Sequence, residues 1–421
     1  MRMWRRGGWV SGFFQRFGRL DANFMQALTN RHVIWLHAVS VGEVNLCTQL
    51  IRALEPHLPN ITVVVSTTTT TGMAELRRHL PKHILKIYYP IDRRSYVVRA
   101  LATVKPEAII LVEAEIWPNF LWRAQTLGIP VFLANARLSE RSFRGYKRFG
   151  FLFRPLFASF AGVGAQNEED AARLREVGCR PEAIHIVGNL KFDAAQLNER
   201  RQLDAPALLR QLGVEAETPV LIGGSTHDGE EMILAQIAGR LRARFPKLFL
   251  ILVPRHFERC REVGRQLRGQ NVKFIYRNEI AANTQLREGE VNCLLVNTTG
   301  ELRFFYRPAT VVFIGKSLTA TGGQNPIEPG ALGKAMIFGP NMQNFADIAR
   351  NFLSRNAAVQ VQDPETLENA VAELLADEKR RAELGRNAYK VVRENLGAID
   401  RTLEMILDRL KERQIYVVYD I

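Results

Sequence analysis

Val33-Ile34-Trp35-Leu36-His37-Ala38-Val39 is an apolar run that ends in Ser40-Val41-Gly42-Glu43 and gives way, from Val44 to Leu54, to apolar residues at helical spacing. A short strand, a polar turn with a glycine and then a helix is the opening of a βαβ unit. The rhythm recurs through the first half, which reads as strands at Ile61 to Ser66, Ala108 to Val112, Pro130 to Asn135, Gly162 to Gln166 and Ile184 to Val187. A second series reads as strands at Val220 to Gly224, Leu248 to Val253, Val272 to Tyr276, Cys293 to Val296, Val311 to Ile314 and Met336 to Phe338. Between Gly188 and Pro219 the periodicity weakens and polar residues accumulate, as at a crossover between domains. The expectation is an α/β chain of two Rossmann-like domains with parallel sheets, at 21–190 and 219–395. A linker at 191–218 joins them, a basic and aromatic segment at 1–20 precedes them, and a helix and tail at 396–421 follow.

Composition limits the partners. With 47% hydrophobic and 24% charged residues the chain is globular, and its 421 residues suit two domains better than one. The formal charge of +14 favours an anionic partner: nucleic acid, an acidic membrane surface or a phosphorylated substrate. Cys47, Cys179, Cys260 and Cys293 are far apart and form no CxxC pair, so neither a zinc site nor a disulfide framework is expected, and a reducing setting fits. No stretch is apolar for the roughly 18 residues that a spanning helix needs. The first twenty residues carry Arg2, Arg5, Arg6, Arg16 and Arg19 among Trp4, Trp9, Phe13, Phe14 and Phe17, a mixture suited to a membrane interface or to a solvated basic terminus.

Ligands of open α/β sheets sit outside the carboxyl ends of the strands. Glu43 stands at such an end and at a helix start, as a general base for a sugar hydroxyl or as a helix-capping acid. Glu113-Ala114-Glu115 closes another strand ahead of Pro118, as an acidic pair in a crevice or at a helix N-terminus. Lys191 can reach a leaving phosphate or pair with Asp193 on the surface. In the second series Ser225-Thr226-His227 follows two glycines, Pro254-Arg255 closes a strand, Thr299-Gly300-Glu301 opens a helix, and Asn325-Pro326-Ile327-Glu328 follows Gly322-Gly323. Each turn taken alone is an ordinary helix start; four strand ends with polar turns, three of them bearing glycine, together make an anion cradle. Arg141 to Phe160 places Arg141, Arg144, Lys147 and Arg148 among phenylalanines with no acid, suited to nucleic acid, to a phosphorylated glycolipid at a membrane, or to a packed helix with a solvated basic face.

Taken in order, HAVSVGE (37–43), VEAEIWPN (112–119), LANARLS (133–139), AQNEED (165–170), GNLKFD (188–193), STHDGEE (225–231), LVPRH (252–256), TTGEL (298–302) and GGQNPIEP (322–329) closely resemble the Kdo transferase family. The resemblance implies a GT-B glycosyltransferase with two Rossmann-like domains facing across a cleft. It would move 3-deoxy-D-manno-octulosonic acid (Kdo) from CMP-Kdo to a lipid A precursor, with inversion and with neither metal nor cofactor. It implies Glu43 as general base, Glu113 and Lys191 as transition-state support, and Pro254, Arg255, Thr299 to Glu301 and Asn325 to Glu328 around CMP; Ser225 to His227 join that donor set on the reading of their turn as an anion cradle, His227 as a phosphate donor or as a loop histidine. Arg141, Arg144, Lys147 and Arg148 then face the acceptor and an anionic membrane, and the enzyme works at the cytoplasmic face of the inner membrane. Family members usually carry a hydrophobic N-terminal anchor; either it lies upstream of Met1 or the arginine and aromatic segment replaces it. The competing readings are a GT-B enzyme of UDP-sugars, such as an epimerase or a lipid A disaccharide synthase relative, and, well behind, a nucleic-acid-binding protein.

Overall fold

A computed structural model describes residues 12–113, 116–194 and 203–412. Residues 1–11, with Arg2, Trp4, Arg5, Arg6 and Trp9, lie outside the described residues, as do Ala114, Glu115, part of the expected linker (195–202) and the tail from 413. The chain divides into two compact units: Met1–Ala194 with Asn395–Ile421, and Ala195–Glu394.

The first unit holds strands β1 (His32–His37), β2 (Ile61–Thr67), β3 (Leu85–Tyr88), β4 (Ala108–Val112), β5 (Val131–Ala136), β6 (Gly162–Ala165) and β7 (Ile184–Ile186). Among the described residues they form one parallel sheet in the order β3-β2-β1-β4-β5-β6-β7. Successive strand side chains point to opposite faces, and here both faces are dry. Val33 and Trp35 enter one apolar cluster with Ile109 and Leu111, while Ile34 and Leu36 enter another with Ala108, Ile110 and Val112. The second cluster is closed by Ala398, Leu403 and Ile406 from the helix Ala398–Glu412, so the end of the chain returns to the core of the first unit.

The second unit holds β8 (Val220–Thr226), β9 (Phe249–Pro254), β10 (Phe274–Tyr276), β11 (Cys293–Leu295), β12 (Val311–Ile314), β13 (Met336–Phe338) and β14 (Val359–Gln360), in the order β10-β11-β9-β8-β12-β13-β14, again parallel. Sequence periodicity omits β3 and β14. Both are edge strands, and β3 alternates Lys86 into four residues, too short for a hydrophobic rhythm.

Each sheet has a point where strand order reverses, between β1 and β4 in the first unit and between β8 and β12 in the second. Ligand-binding crevices open at such points. Glu43 follows β1 and Glu113 follows β4; Thr226 ends β8 and Lys316 follows β12.

Candidate active site

Ser40 is the N-cap of the helix Val41–Leu54, in extended conformation, and its hydroxyl accepts the Glu43 N–H at 3.3 Å. The Glu43 carboxylate reaches back: Oε2 accepts the Val39 N–H at 2.8 Å and Oε1 accepts the Ser40 hydroxyl at 2.7 Å. This reciprocal arrangement is a capping box shifted by one residue on its return bond. The capping role raised from the sequence is therefore realised, and it fixes where the carboxylate points. It does not consume the group, since each carboxylate oxygen has a second lone pair.

Glu113 closes β4 in the left-handed backbone region, φ 62°, which costs a non-glycine residue on the order of 1 kcal/mol. Burial raises its carboxyl above the ordinary carboxylate range; Lys191 opposes that shift and the charge of Glu43 adds to it. Lys191 Nζ stands 3.6 Å from Glu113 Oε1. The alternative of a Lys191–Asp193 surface pair fails, because the Asp193 carboxylate accepts the N–H groups of Gly397 at 2.8 Å and Ile399 at 2.7 Å. Beneath Lys191 runs a buried amide chain: Asn135 Oδ1 accepts the Leu190 N–H at 3.1 Å, Gln166 Nε2 donates to Asn135 O at 3.1 Å, and Asn189 Nδ2 donates to Gln166 Oε1 at 2.8 Å. These amides fall inside the motifs LANARLS, AQNEED and GNLKFD, whose spacing gives no sign of this task. They hold the turn that presents Lys191. Glu115, the second acid of that motif, lies outside the described residues.

His37, at the end of β1, is fully buried and stacks on Tyr89 with ring centroids 3.8 Å apart. Its Nδ1 lies 2.9 Å from the Ser66 hydroxyl, to which Trp35 Nε1 donates at 2.8 Å, and its Nε2 meets no protein partner. Burial depresses its pKa from 6.5 to about 3. The folded state thus refuses a proton that the unfolded chain takes up, so this group's contribution to stability is complete above about pH 6.5 and is lost as pH falls toward about 3. Urea midpoints measured from pH 7 to pH 4 should fall, and His37→Gln should flatten that fall; an equally steep fall in the variant would place the acid sensitivity elsewhere.

In the second unit a pocket of about 570 Å³ opens among the turns after β8, β9, β11 and β12. Ser225, Pro254, Arg255, Thr299, Gly300, Asn325 and Glu328 from the sequence-based set line it. Thr298 and Gln324, quoted within their motifs without a role, also line it, as do Phe257, Arg303 and Tyr306, which the sequence did not single out. Arg303 and Tyr306 come from a five-residue helix, Leu302–Tyr306, too short to show which side faces a ligand. Burial raises the carboxyl of Glu328, against the opposing effects of the Asn325 amide and of Arg303 and Arg255. The chain passes closely here: a Cβ on Gly224 would stand 2.3 Å from the Tyr306 hydroxyl.

The remaining members of that set do not line the pocket. Thr226 is buried and donates to Glu231 Oε1 at 3.0 Å. Glu301 pairs with Arg277 at 3.0 Å and accepts the Thr298 hydroxyl at 2.6 Å. Pro326 caps the helix Ile327–Ala331, and Ile327 is wholly buried. The His227 ring faces His256 at 6.4 Å, while its backbone N–H is held at 2.8 Å by Glu230. These residues support the lining.

Arg141, Arg144, Lys147 and Arg148 lie in the helix Glu140–Arg148, which buries none of its residues. The acids missing from that stretch come from its flanks: Glu140 meets Arg144 at 3.0 Å and Glu176 meets Lys147 at 2.8 Å. Both pairs are exposed and contribute little. Phe143, Tyr146 and Phe153 pack on the core, whereas Phe149 and Phe151, 49% and 84% exposed, stand at the junction with the next helix, Gly150–Ala158.

The comparisons with known proteins agree with these motifs. Residues 11–194 match the family model described as 3-deoxy-D-manno-octulosonic-acid transferase, and residues 276–391 match the model of group 1 glycosyl transferases. The 3-deoxy-D-manno-octulosonic acid transferase of Bordetella pertussis is 34% identical over 422 residues, covering 97% of this chain and 95% of that protein. The chain belongs to the Kdo transferase family. The Kdo transferase of Haemophilus influenzae is 32% identical over 89% of this chain and 86% of its own length. The chain is therefore a glycosyltransferase. Among solved structures, the UDP-GlcNAc 2-epimerase of Neisseria meningitidis bound to UDP-GlcNAc aligns with TM-score 0.59 over 90% of this chain and 100% of its own, at 13% identity. That likeness fixes the GT-B fold of the transferase.

Proposed function

We propose that this transferase moves Kdo from CMP-Kdo to a lipid A precursor in lipopolysaccharide biosynthesis, with inversion at the anomeric carbon and without a metal ion. The observation that carries the reading is the pocket of the second unit, whose wall is built from the VPR, TTG and QNPIE turns that the family resemblance assigns to CMP. Glu43 takes the proton of the acceptor hydroxyl, and that oxygen forms a bond to the anomeric carbon. The bond from that carbon to the phosphate oxygen breaks with its electron pair, releasing CMP. Arg255 and neighbouring pocket groups neutralise the departing phosphate as preorganised charge. Glu113 and Lys191 act on the first unit's side, where the half-buried carboxylate and the ammonium orient groups on the sugar being transferred.

Mass spectrometry of products from CMP-Kdo and a tetraacylated acceptor tests the reading; Kdo added to the acceptor supports it, while turnover only with UDP-sugars would replace it. Arg255→Ala should weaken CMP binding by about ten- to hundredfold, the loss of a charge-assisted contact to phosphate, as measured by titration calorimetry. Unchanged affinity would remove Arg255 from the donor site.

The proposed workplace is the cytoplasmic face of the inner membrane. Among the described residues no helix is long and apolar enough to cross a membrane. Peripheral attachment is supported by Phe149 and Phe151 beside Arg148, an aromatic pair with a guanidinium neighbour, which suits the headgroup layer.

A further inference from the structure

The first unit also carries a second concavity, whose lining includes none of Glu43, Glu113 and Lys191. It lies between the helices Arg94–Val104 and Pro118–Thr126, has a volume of about 940 Å³, and is lined by Arg93, Arg94, Val98, Trp122 and Arg123 among others. Three guanidinium groups in one groove call for acids, and among the described residues none of them bonds to one. Arg93 donates to the Tyr96 hydroxyl at 3.3 Å and lies 5.4 Å over its ring, and Arg123 Nε is buried with no acceptor. Asp92, the adjoining acid, is committed elsewhere: its carboxylate accepts the N–H groups of Phe120 at 2.9 Å and Asn119 at 3.1 Å and the Asn119 amide at 3.2 Å. The first turn of Arg94–Val104 carries no acid, and its N-cap is itself an arginine. Three guanidinium charges against the one committed carboxylate leave this concave site with a net positive charge, whose focused field selects a compact anion of more than one charge. A phosphomonoester, with three free oxygens and nearly two charges, matches three guanidinium forks.

The groove also has an apolar side. Val98 lines it, and Trp122 stands 38% exposed beside Arg123. Ile91, two residues ahead of Arg93, is 37% exposed. Bare phosphate has no use for that surface, whereas the interface of a lipid layer does. We propose that this groove binds the phosphomonoester headgroup of a membrane lipid, the phosphate against Arg93, Arg94 and Arg123 and the start of the apolar tail against Trp122 and Val98. The inference needs neither the sugar donor nor the transfer reaction, and it is decided by lipid binding alone.

The full chain is sedimented with phosphatidylcholine vesicles containing phosphatidic acid, or an equal fraction of phosphatidylglycerol, whose headgroup is a diester. Phosphatidic acid should bind at least about tenfold tighter than phosphatidylglycerol. Each arginine near an anionic headgroup is worth about fivefold, so the Arg93→Gln, Arg94→Gln, Arg123→Gln triple variant should lose about a hundredfold on phosphatidic acid. CMP binding and thermal unfolding verify the triple variant's fold; should it not fold, Arg94→Gln, at an exposed position, carries the test with about a fivefold loss. Trp122→Ala keeps every charge and should weaken phosphatidic acid binding several-fold. Equal binding to the two anionic lipids would reduce the groove to general surface charge and overturn the proposal. So would retention of phosphatidic acid binding by the folded arginine variants, unchanged binding by Trp122→Ala, or displacement by millimolar inorganic phosphate, which would make soluble phosphate the ligand.

Discussion

Glu43→Gln should lower kcat by about 10²- to 10⁴-fold, the range for loss of a general base, while the melting temperature stays within about 2 °C of the parent and CMP affinity is unchanged. The substitution separates two roles that the structure shows in one side chain. As a cap, Glu43 accepts the Val39 N–H and the Ser40 hydroxyl. Glutamine at this position of a capping box keeps an acceptor oxygen for the backbone, so the helix start survives. As a base, glutamine has no proton affinity to offer. Ser40→Ala makes the complementary change: it removes the cap, costs about 1 kcal/mol of stability, and leaves a carboxylate whose orientation is less fixed, so its activity loss should be smaller than that of Glu43→Gln. Normal turnover by Glu43→Gln would reduce Glu43 to a capping acid. A melting temperature many degrees lower would mean that the cap outweighs the chemistry.

Much of the fold was legible because parallel strands buried on both faces read as apolar runs, and helices between them read as periodic segments. The edge strand Leu85–Tyr88 escaped because Lys86 turns back to the carbonyl oxygens of Pro81 and Ile84, leaving no continuous run. The return of Ala398–Glu412 to the first unit was illegible for another reason: its apolar stripe shows that the helix packs, and nothing in the stripe names its partner. At the candidate site, strand-end position located Glu43, Glu113, Lys191 and the lining turns of the pocket. It could not separate residues that face the pocket, such as Arg255 and Glu328, from those such as Thr226 and Ile327 that turn inward, because adjacent positions in a tight turn diverge by backbone angle. Ser225 shows this, at φ 53° as the penultimate residue of β8, where it lines the pocket while its neighbour Thr226 turns inward.

The same ambiguity hid the residue whose loss should cost the second unit most stability. Glu230 and Glu231 stand in the first turn of the helix Glu230–Leu241, where acids are ordinarily worth a few tenths of a kcal/mol each through the helix dipole. Glu230 instead is wholly buried: Oε2 accepts the N–H groups of His227 at 2.8 Å and Lys316 at 2.7 Å, and Oε1 those of Ser317 and Leu318, both at 3.0 Å. One carboxylate therefore ties the turn after β8 to the turn after β12, across the point where strand order reverses. The two turns are already pressed together, since a Cβ on Gly315 would meet Ser225 O at 2.3 Å, and Lys316 holds φ 54°. Glu231 pins the same helix start from the side, meeting Arg259 at 2.8 Å and the Thr226 hydroxyl at 3.0 Å. Glu230→Ala strands those backbone donors in a buried space, and the expected loss is about 3–5 kcal/mol, comparable to removing one partner from a buried charged cluster. Glu230→Gln keeps one acceptor oxygen but turns an amide NH₂ toward N–H donors, so its loss should be intermediate. Chemical denaturation should rank parent above Glu230→Gln above Glu230→Ala, and CMP affinity should fall in the same order because Ser225 and the turn leading to Asn325 lose their common anchor. An alanine variant that unfolds at the parent's denaturant midpoint and binds CMP normally would show that the close packing of Gly315 on Ser225 positions these turns without the carboxylate.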